Sequence, residues 1–351
     1  VSSAYSMPWF GPLYNAVSQN RFKGKLPPSV GADGKAIPNT VSPWYLIEDP
    51  ENLIWGVLAD EYAKGIRGNP HIKAIALDYE PGAMKHCFSV ENRTRFRDFA
   101  KLQAVPSTED ILSKYKEAWL RFRIRQHQRI LERISAMVRS KLSGIEFWLI
   151  SDPLQTGRQR VSEWCGVDVQ AADPIIDMHQ DMPYITGIPF FDQMKLNISE
   201  LKKPCFPFID PTENMAMYYQ RYTPEKVMQN TVAVAALGGY GIGFWPNDVF
   251  DGRYLRSIRD AYAAIAEAES FYAGKEAARQ DIRFESKNVV KLDAADGSGK
   301  NTKISFPQLD RNLRVLGHRK GKDFLITILN YNENSPAFLE LAVPGAESAY
   351  Y

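Results

Sequence analysis

Short apolar runs alternate with longer amphipathic stretches along most of this chain. The apolar runs cover residues 1–10, 72–77, 145–150, 174–178, 204–209 and 241–245, and most of them close at a polar residue, often beside a proline. The amphipathic stretches, residues 110–142, 224–237 and 253–278, carry apolar side chains at helical spacing. For the third stretch, Gly274 predicts an interruption or a helix cap. Buried strands that alternate with helices predict a parallel α/β sheet, because helices cover both faces of such a sheet.

The polar residues at the ends of these strands favour one form of parallel sheet. In a (β/α)₈ barrel, the active site is assembled from the loops that follow several different strands. We therefore predict an α/β fold of the TIM-barrel type for residues 1–278. Fewer than eight strands are recognisable, so we expect the barrel to be incomplete at its N-terminus, with strands outside the sequence or within the poorly patterned residues 11–49.

The pattern changes near residue 281. Short strand-like runs at residues 288–292, 303–306, 313–316, 324–329 and 337–343 are separated by turn signals such as Asp296-Gly297 and Lys320-Gly321. These features predict a small antiparallel β module, residues 281–351, that follows the barrel domain. We interpret this module as an accessory, because its strands carry no clustered acids or histidines.

The predicted helix 110–142 has recognisable ends. Ser107, with Asp110 three residues later, is a favourable N-cap, and Gly144 stands where a helix C-terminus favours glycine. Five arginines occur along it: Arg121, Arg123, Arg125, Arg129 and Arg133. Because their side chains spread around the helix, we interpret them as a solvated surface and not as a binding patch.

Charge and composition exclude several function classes. The 43 Lys and Arg residues nearly balance the 41 Asp and Glu residues, for a formal net charge of +2. A chain with so little net charge has no strong field for a polyanion, so we expect no nucleic-acid partner. No apolar run reaches the ~18 residues that span a membrane.

The sequence predicts no cofactor, no metal and no disulfide framework. The histidines form neither an HxH nor an HExxH pair, and the three cysteines, Cys87, Cys165 and Cys205, are far apart. The glycines near residues 238–243 and 297–300 lack the spacing of dinucleotide-binding and phosphate-binding loops. Because Val1 follows no Met or signal-like segment, we expect a piece of a longer protein, and a secreted or periplasmic location is favoured over others.

The segment Asp78-Tyr79-Glu80 is the sharpest candidate for chemistry. On a strand, Asp78 and Glu80 point to the same side, because side chains alternate with a period of two. Repulsion between two carboxylates makes one of them hold its proton more tightly. Glycoside cleavage needs such a protonated carboxylic acid, so we predict Glu80 as the general acid with Asp78 beside it. The structural alternative is that Asp78 caps the following loop and Glu80 pairs with an arginine.

A barrel hydrolase also needs a second catalytic group and a surface for the sugar. Asp210 ends a clearly patterned strand and precedes Pro211, so we predict it as the partner of Glu80. The residues at strand ends that we predict to bind the substrate are Trp9, Asp152, His179, Asp181, Tyr184, Trp245 and Asp248. For each of them, loop capping or core packing is the alternative role.

The segment 75–81, the following Cys87-Phe88-Ser89 and the helix 93–99 resemble barrel glycoside hydrolases of the β-galactosidase type. This resemblance implies a TIM barrel followed by a small β domain, and hydrolysis of glycosidic bonds in an oligo- or polysaccharide. It also implies an acid/base role for Glu80. Tyr79 replaces the family's Asn before that Glu, and Asp210 stands where the family has a Glu nucleophile, so retaining and inverting chemistry both stay open.

A weaker resemblance is to chitinase-like barrels. Residues 78–80 are similar to their Asp-x-Glu motif, residues 182–184 to their Met-x-Tyr motif, and Trp245 to the Trp that ends their last strand. This resemblance implies substrate-assisted hydrolysis without a protein nucleophile, in which Asp78 orients the substrate's amide and Tyr184 donates a hydrogen bond to it.

A third hypothesis is a barrel that binds carbohydrate without hydrolysing it. Glu80 would then be a hydrogen-bonding residue only. Substitution of Glu80 discriminates between the classes, because an enzyme loses turnover and keeps binding, whereas a binding module has no turnover to lose.

Overall fold

The computed structural model describes residues 3–8, 26–38, 40–66, 69, 71–79, 87–154, 167–209, 222–245, 251–273, 278–280, 282–286, 292–295, 301–304, 312–332 and 339–342. The helices in these ranges are α1 (Pro43–Glu48), α2 (Leu53–Ile66), α3 (Val90–Ala100), α4 (Thr108–Ser113), α5 (Lys116–Lys141), α6 (Val169–Ala172), α7 (Ile188–Glu200), α8 (Pro224–Leu237) and α9 (Gly252–Tyr272).

The strands occur in two groups along the chain. Those up to residue 244 are β1 (Ser3–Pro8), β2 (Ile72–Asp78), β3 (Glu146–Ser151), β4 (Met178–Asp181), β5 (Phe208–Ile209) and β6 (Gly243–Phe244). Those beyond are β7 (Ala278–Gln280), β8 (Arg283–Ser286), β9 (Leu292–Ala295), β10 (Asn301–Ile304), β11 (Leu313–Lys320), β12 (Asp323–Asn330) and β13 (Leu339–Ala342).

The strands of the first group pair in parallel, as the sequence pattern predicts. Strands β1, β2, β3 and β4 lie in that order in one sheet, and a parallel bridge between His179 and Cys205 extends it. Strands β5 and β6 form a separate parallel pair. The protein is therefore a mixed α/β chain, and its strands follow one another in the sheet in sequence order.

The strands of the second group are antiparallel, which confirms the predicted β-rich tail. Strand β11 pairs with β12 on one side and β7 on the other, and β8 pairs with β13 and β9 with β10. The stretch 253–278 is a helix only up to the predicted cap or interruption near Gly274. The helix α9 ends at Tyr272, and residues 278–280 instead pair with β11.

Contacts between Cα atoms group the chain into two compact units. Unit 1 is Val1–Pro183 with Leu196–Pro207, and unit 2 is Tyr184–Lys195 with Phe208–Tyr351. Unit 1 holds the four-stranded parallel sheet, and unit 2 holds the β5–β6 pair, α8, α9 and the antiparallel strands. The predicted functional division into a barrel, 1–278, and an accessory module, 281–351, stays a prediction.

The core of unit 1 forms between one face of the parallel sheet and the helices. Its sheet residues include Ile75, Leu77, Phe147 and Leu149, and its α5 residues include Ile130, Ile134 and Val138. Full burial of one such side chain contributes about 1.5–3 kcal/mol. The amphipathic stripe of the predicted helix therefore covers the sheet, as its spacing indicates.

Two details of this helical region differ from prediction. The N–H groups of Lys114 and Tyr115 both donate to the carbonyl oxygen of Asp110, so the chain makes a wide turn and the helix restarts at Lys116. Arg123 is only 2% exposed, which corrects its assignment to the solvated surface, whereas the other four arginines of that series are exposed. The predicted capping box of Ser107 and Asp110 is confirmed. None of the described helices has the length and apolar composition needed to cross a membrane.

Candidate active site

The residues predicted from the sequence divide into two sets. The predicted general acid Glu80, its partner Asp210, and Trp9 and Asp248 lie outside the described residues. The remaining predicted residues are described: Asp78, Asp152, His179, Asp181, Tyr184 and Trp245. The candidate site therefore consists of the described ends of strands β2, β3 and β4.

The parallel sheet of unit 1 has two faces with different surroundings. Ile75, Leu77 and Tyr79 belong to the apolar core beneath the helices. Because side chains alternate along a strand, Asp78 lies on the opposite face. Asp78 is the last residue of β2 and is partly buried, so a carboxylate stands at the carboxyl edge of the sheet, on the face turned away from the helices.

The strand register brings a second polar side chain onto the same face. Asp78 pairs with Ile150, and Ile150 pairs with Gln180, so the three residues form one row across β2, β3 and β4. With adjacent strands about 4.8 Å apart, the backbones of Asp78 and Gln180 are roughly 10 Å apart. This row places two hydrogen-bonding groups on either side of an apolar one.

Gln180 has an unusual environment for an amide. Its side chain is 5% exposed, and its Oε1 has no hydrogen-bond partner among the residues that the structure describes. A buried polar atom without a protein partner generally marks a position for water or ligand. The sequence pattern does not reveal Gln180, because residues 179–181 look like a loop after a strand. Only the pairing of β3 with β4 assigns it to a face.

His179 and Asp181, predicted from the sequence to bind the substrate, lie on the helix-covered face of the sheet. The predicted strand 174–178 is shifted, and β4 spans Met178–Asp181, because its ladder with β3 begins at the pair Trp148 and Met178. His179 pairs with Leu149 of the helix-covered face, and both His179 and Asp181 are 0% exposed. Neither side chain therefore has surface available to a sugar in this structure.

The partners of these two buried residues belong to the protein itself. His179 Nε2 lies 2.9 Å from Asp173 Oδ1, and Asn197 Nδ2 on α7 donates to Asp181 Oδ2 at 2.7 Å. Burial alone would raise the pKa of Asp173, but hydrogen bonds from His179 and from the main chain of Lys203 and Lys202 hold it below its ordinary value. Asp173 and His179 thus link the start of β4 to the segment after α7.

Burial raises the pKa of Asp181, against smaller opposing effects of His179, Asn197 and Cys205. The folded protein therefore keeps a proton on Asp181 at pH values where the unfolded chain has released it, and stability falls as pH rises above the ordinary carboxyl range. One proton of difference corresponds to a slope of at most about 1.4 kcal/mol per pH unit.

We expect Asp181→Asn to flatten this pH dependence, because asparagine keeps the shape without the titrating group. The measurement is urea denaturation from about pH 5 to about pH 7, with the free energy of unfolding compared at each pH. As pH rises, the free energy of unfolding of the variant should increase relative to that of wild type. Asp98→Asn, at an exposed carboxylate, is the control and should run parallel to wild type. A parallel curve for Asp181→Asn as well would show that its carboxyl does not bind a proton more tightly when folded.

A buried polar network begins at Tyr79, the residue between Asp78 and Glu80 in the sequence. The Tyr79 hydroxyl lies 2.6 Å from His127 Nδ1, and the other ring nitrogen of His127 lies 3.2 Å from Arg123 Nη2. Tyr79, His127 and Arg123 are all at least 97% buried. Helix α5 therefore holds the end of β2 through polar contacts as well as through its apolar stripe.

The network continues to the start of α3. Arg123 Nη1 donates to Gln126 Oε1 at 2.6 Å, and Gln126 Nε2 donates to Asn92 Oδ1 at 2.9 Å. Asn92 Nδ2 in turn donates to the carbonyl oxygen of Cys87 at 2.9 Å. The described residues on both sides of the segment 80–86 are thus joined by one chain of hydrogen bonds, which fixes both ends of that segment.

Removal of the Tyr79 hydroxyl should destabilise this arrangement. Tyr79→Phe deletes the short contact to a buried imidazole, and loss of one partner of a buried hydrogen bond costs about 1–3 kcal/mol. Denaturation with urea measures the change, and Tyr240→Phe is the control because Tyr240 is exposed and should lose almost nothing. Equal stability of the two variants would contradict a structural role of the network.

The other described candidates remain at the surface. Asp152 directly follows β3 and is exposed, and Trp245 directly follows β6 and is 53% exposed. Tyr184 is partly buried and has a φ of 38°, a left-handed conformation that is rare for a residue other than glycine. Their substrate-binding roles stay predictions.

Metal-binding groups do not assemble in the described part of the chain. No set of three or more His, Cys, Asp and Glu side chains there is arranged to hold a metal ion. Cys87 and Cys205 are free and buried.

Comparisons with known proteins find relatives by structure only. No protein-family model matches the chain, and no curated protein matches it in sequence. A catalytic mutant of a GH42 β-galactosidase from G. stearothermophilus aligns with a TM-score of 0.54 and 13% identity, over 73% of this chain and 45% of that chain. The β-galactosidase of the psychrophilic Marinomonas ef1 aligns with a TM-score of 0.52 and 11% identity, over 72% of this chain and 48% of that chain.

A chitinase from Chromobacterium violaceum aligns with a TM-score of 0.42 and 10% identity, over 71% of this chain and 84% of that chain, a likeness too small to support an argument. The chain spans slightly less than half the length of the two β-galactosidases. At these identities the likeness concerns the fold alone. The chain has a fold similar to that of glycoside hydrolase barrels of the β-galactosidase type.

Proposed function

We propose that this chain hydrolyses glycosidic bonds in an oligo- or polysaccharide by carboxylate acid/base catalysis. The observation that supports it best is the row of Asp78 and Gln180 on the face of the parallel sheet opposite the helix-covered core, at the edge where β2 ends. Barrel enzymes assemble their sites at this edge from several strands. A carboxylate and an amide on one face are the groups that hydrogen-bond to sugar hydroxyls.

Glu80 is the proposed general acid. It follows Asp78 by two residues in the sequence, and the hydrogen-bonded network from Tyr79 to Asn92 holds the described residues on both sides of it. A carboxylic acid in this role donates its proton to the oxygen of the leaving sugar. Asp78, beside it in sequence, is proposed to favour the protonated form of Glu80 by its negative charge.

Asp210 is the proposed second carboxylate. Its distance from Glu80 would decide whether the reaction retains or inverts the configuration of the sugar. A separation of roughly 5–5.5 Å between the two carboxyl groups corresponds to retention through a covalent intermediate, and roughly 6.5–9.5 Å to inversion by an activated water. In the chitinase-like alternative, Asp78 and Tyr184 hold the substrate's own amide, and Asp210 has no part in the reaction.

The fold that would support this chemistry is a TIM-type barrel. Its proposed members include β1, β2, β3 and β4, which lie in sequence order in one parallel sheet. The antiparallel strands beyond residue 281 are proposed to be an accessory module that supplies no catalytic carboxylate. A variant ending at residue 280 would test this, because it should lose stability while any activity that remains keeps its substrate preference.

Hydrolysis of aryl glycosides tests the proposed function. We expect the purified chain to release the aryl group from one of a set of p-nitrophenyl β-glycosides, with galactoside, glucoside and N-acetylglucosaminide as the first three. Turnover only on the N-acetylglucosaminide would favour the chitinase-like mechanism. Saccharide binding without turnover on any substrate would favour the non-catalytic carbohydrate-binding barrel and contradict the proposal.

Gln180 is proposed to bind a sugar hydroxyl, and Gln180→Ala tests that role. Loss of one neutral hydrogen bond to the substrate should raise KM by about 3- to 10-fold with a smaller change in kcat. The midpoint of denaturation should change little, because Oε1 has no partner among the described residues to lose. Steady-state kinetics of wild type and variant measure the split, and an unchanged KM would remove Gln180 from the site.

A further inference from the structure

A polar cavity lies wholly within unit 2. Its volume is about 580 Å³, inside the ~300–1,000 Å³ range of small-molecule pockets. Its walls come from the start of α7, the start of α8, Asn312 and the segment after β12. Among the described residues that line it, none is predicted from the sequence to be catalytic or substrate-binding.

Asn312 and the residues at the end of β12 hold one another in place along one side of the cavity. Asn312 Nδ2 donates to Asn332 Oδ1 at 2.8 Å, and the Tyr331 N–H donates to the Asn312 carbonyl oxygen at 2.9 Å. The Asn332 N–H donates to Asn330 Oδ1 at 3.0 Å. Amides ordered before a ligand arrives lose little freedom on binding, which favours affinity.

Gln229 on α8 and Tyr331 in the segment after β12 also line the cavity. Gln229 Nε2 donates to the Asn330 carbonyl oxygen at 2.9 Å, which leaves its Oε1 as an acceptor for a ligand hydroxyl. Tyr331 lines the cavity, and its hydroxyl is buried without a hydrogen-bond partner among the described residues. Amide groups beside a tyrosine ring provide both hydrogen bonding and an apolar surface for a sugar.

The helix N-termini at this cavity are poorly suited to an anion. Pro224 and Pro189 have no N–H in the first turns of α8 and α7, and the Thr223 hydroxyl already accepts from the Lys226 N–H. Lys226, which lines the cavity, stands next to Glu225, another of the described lining residues. With these charges opposed, the lining favours a neutral polyhydroxylated ligand over a phosphate.

We propose that this cavity of unit 2 binds a neutral saccharide without cleaving it. The site goes beyond the proposed hydrolysis and does not depend on it, since it contains neither Asp78 nor Gln180. Its recognising groups are the amides of Gln229, Asn312 and Asn332 and the ring of Tyr331. In a chain that acts on polysaccharide, this cavity would be a second binding site for the polymer. Binding there raises the effective concentration of substrate at the catalytic residues.

Isothermal titration calorimetry on the full chain tests this site. Lactose, cellobiose, maltose and inorganic phosphate are the probes, and all titrations use the Glu80→Gln background to limit hydrolysis. We expect at least one disaccharide to bind and phosphate not to bind. Gln229→Ala should then weaken binding by about 3- to 10-fold, the effect of one lost hydrogen bond.

Gln128→Ala is the matched control. Gln128 is also partly buried and also donates its Nε2 to a main-chain oxygen, that of Ala171 at 3.1 Å, but it belongs to unit 1 and lies outside the cavity lining. Its variant should bind as the background protein does. Tyr331→Leu keeps an apolar side chain and removes the aromatic ring, and it decides the question if Gln229→Ala lowers the melting temperature.

Three outcomes would overturn the proposal. One is that none of the three disaccharides binds. Another is that phosphate binds and Gln229→Ala weakens it. The third is that a disaccharide binds with the same affinity in Gln229→Ala and Tyr331→Leu as in the background protein, which would place it elsewhere. Each is independent of whether the chain hydrolyses an aryl glycoside.

Discussion

Replacement of Glu80 by glutamine is expected to lower kcat/KM on an aryl or natural glycoside by about 10²–10⁴-fold, the usual contribution of a positioned general acid. Glutamine keeps the shape of the side chain and removes the proton that the leaving sugar requires. The melting temperature should stay near that of wild type, since the hydrogen bonds from Tyr79 to Asn92 do not involve the Glu80 side chain.

Glu91→Gln is the control for this result. Glu91 is an exposed carboxylate in the first turn of α3, so its loss should leave kcat/KM unchanged. A substrate with a good leaving group needs less help from an acid, so the loss in Glu80→Gln should be smaller on a p-nitrophenyl glycoside than on a natural glycan. Full turnover of the natural glycan by Glu80→Gln would end the assignment of Glu80 as the acid.

Replacement of Phe96 by alanine is expected to cost about 3–5 kcal/mol of stability, as for other fully buried aromatic residues. Phe96 is 0% exposed on α3, and its ring lies 5.1 Å from that of Trp119 and 5.6 Å from that of Phe122 on α5, between ring centroids. The cavity left by alanine would be lined by these rings, which cannot close it without shifting α3. Urea denaturation followed by tryptophan fluorescence measures the loss.

The same helix offers a control of the same residue type. Phe99 is 43% exposed and contacts Phe122 with ring centroids 5.5 Å apart, so Phe99→Ala should cost no more than about 1 kcal/mol. Comparable losses in the two variants would mean that α3 does not pack on α5 through Phe96. Because α3 begins soon after Glu80, a large loss of activity in Phe96→Ala but not Phe99→Ala would connect this packing to the candidate site.

Local patterns along the chain predict much of the secondary structure. The apolar run 72–77 is strand β2, and the stretch 224–237 is helix α8, which starts at Pro224 after the N-cap Thr223 and ends before Gly238 in a left-handed conformation. Capping by Ser107 and the change to antiparallel strands in the tail are likewise confirmed. Each of these features depends on residues a few positions apart, so the local sequence contains the whole signal.

The two faces of β4 were decided by tertiary structure. Residues 178–181 contain polar side chains that a local pattern assigns to a loop, but pairing with β3 makes them a strand. The same register then sends His179 and Asp181 beneath the helices and Gln180 to the opposite face. A shift of one residue would exchange these roles, and no feature of the four residues themselves specifies the register.

The interior of α5 shows the same limit. Arg123 is one of five arginines that a helical pattern treats alike, yet it alone of that series is buried, because Gln126 and His127, one turn along α5, contact its guanidinium group. Burial of a charged side chain is favourable only where partners satisfy its donors. The residues that hold these partners in place, Asn92 for Gln126 and Tyr79 for His127, lie on other elements and are distant along the chain. The sequence by itself determined most of the elements and the order of their types along the chain, and it predicts the candidate carboxylates. Which polar side chains are buried together, and which face the open edge of the sheet, was decided by contacts between residues distant in sequence.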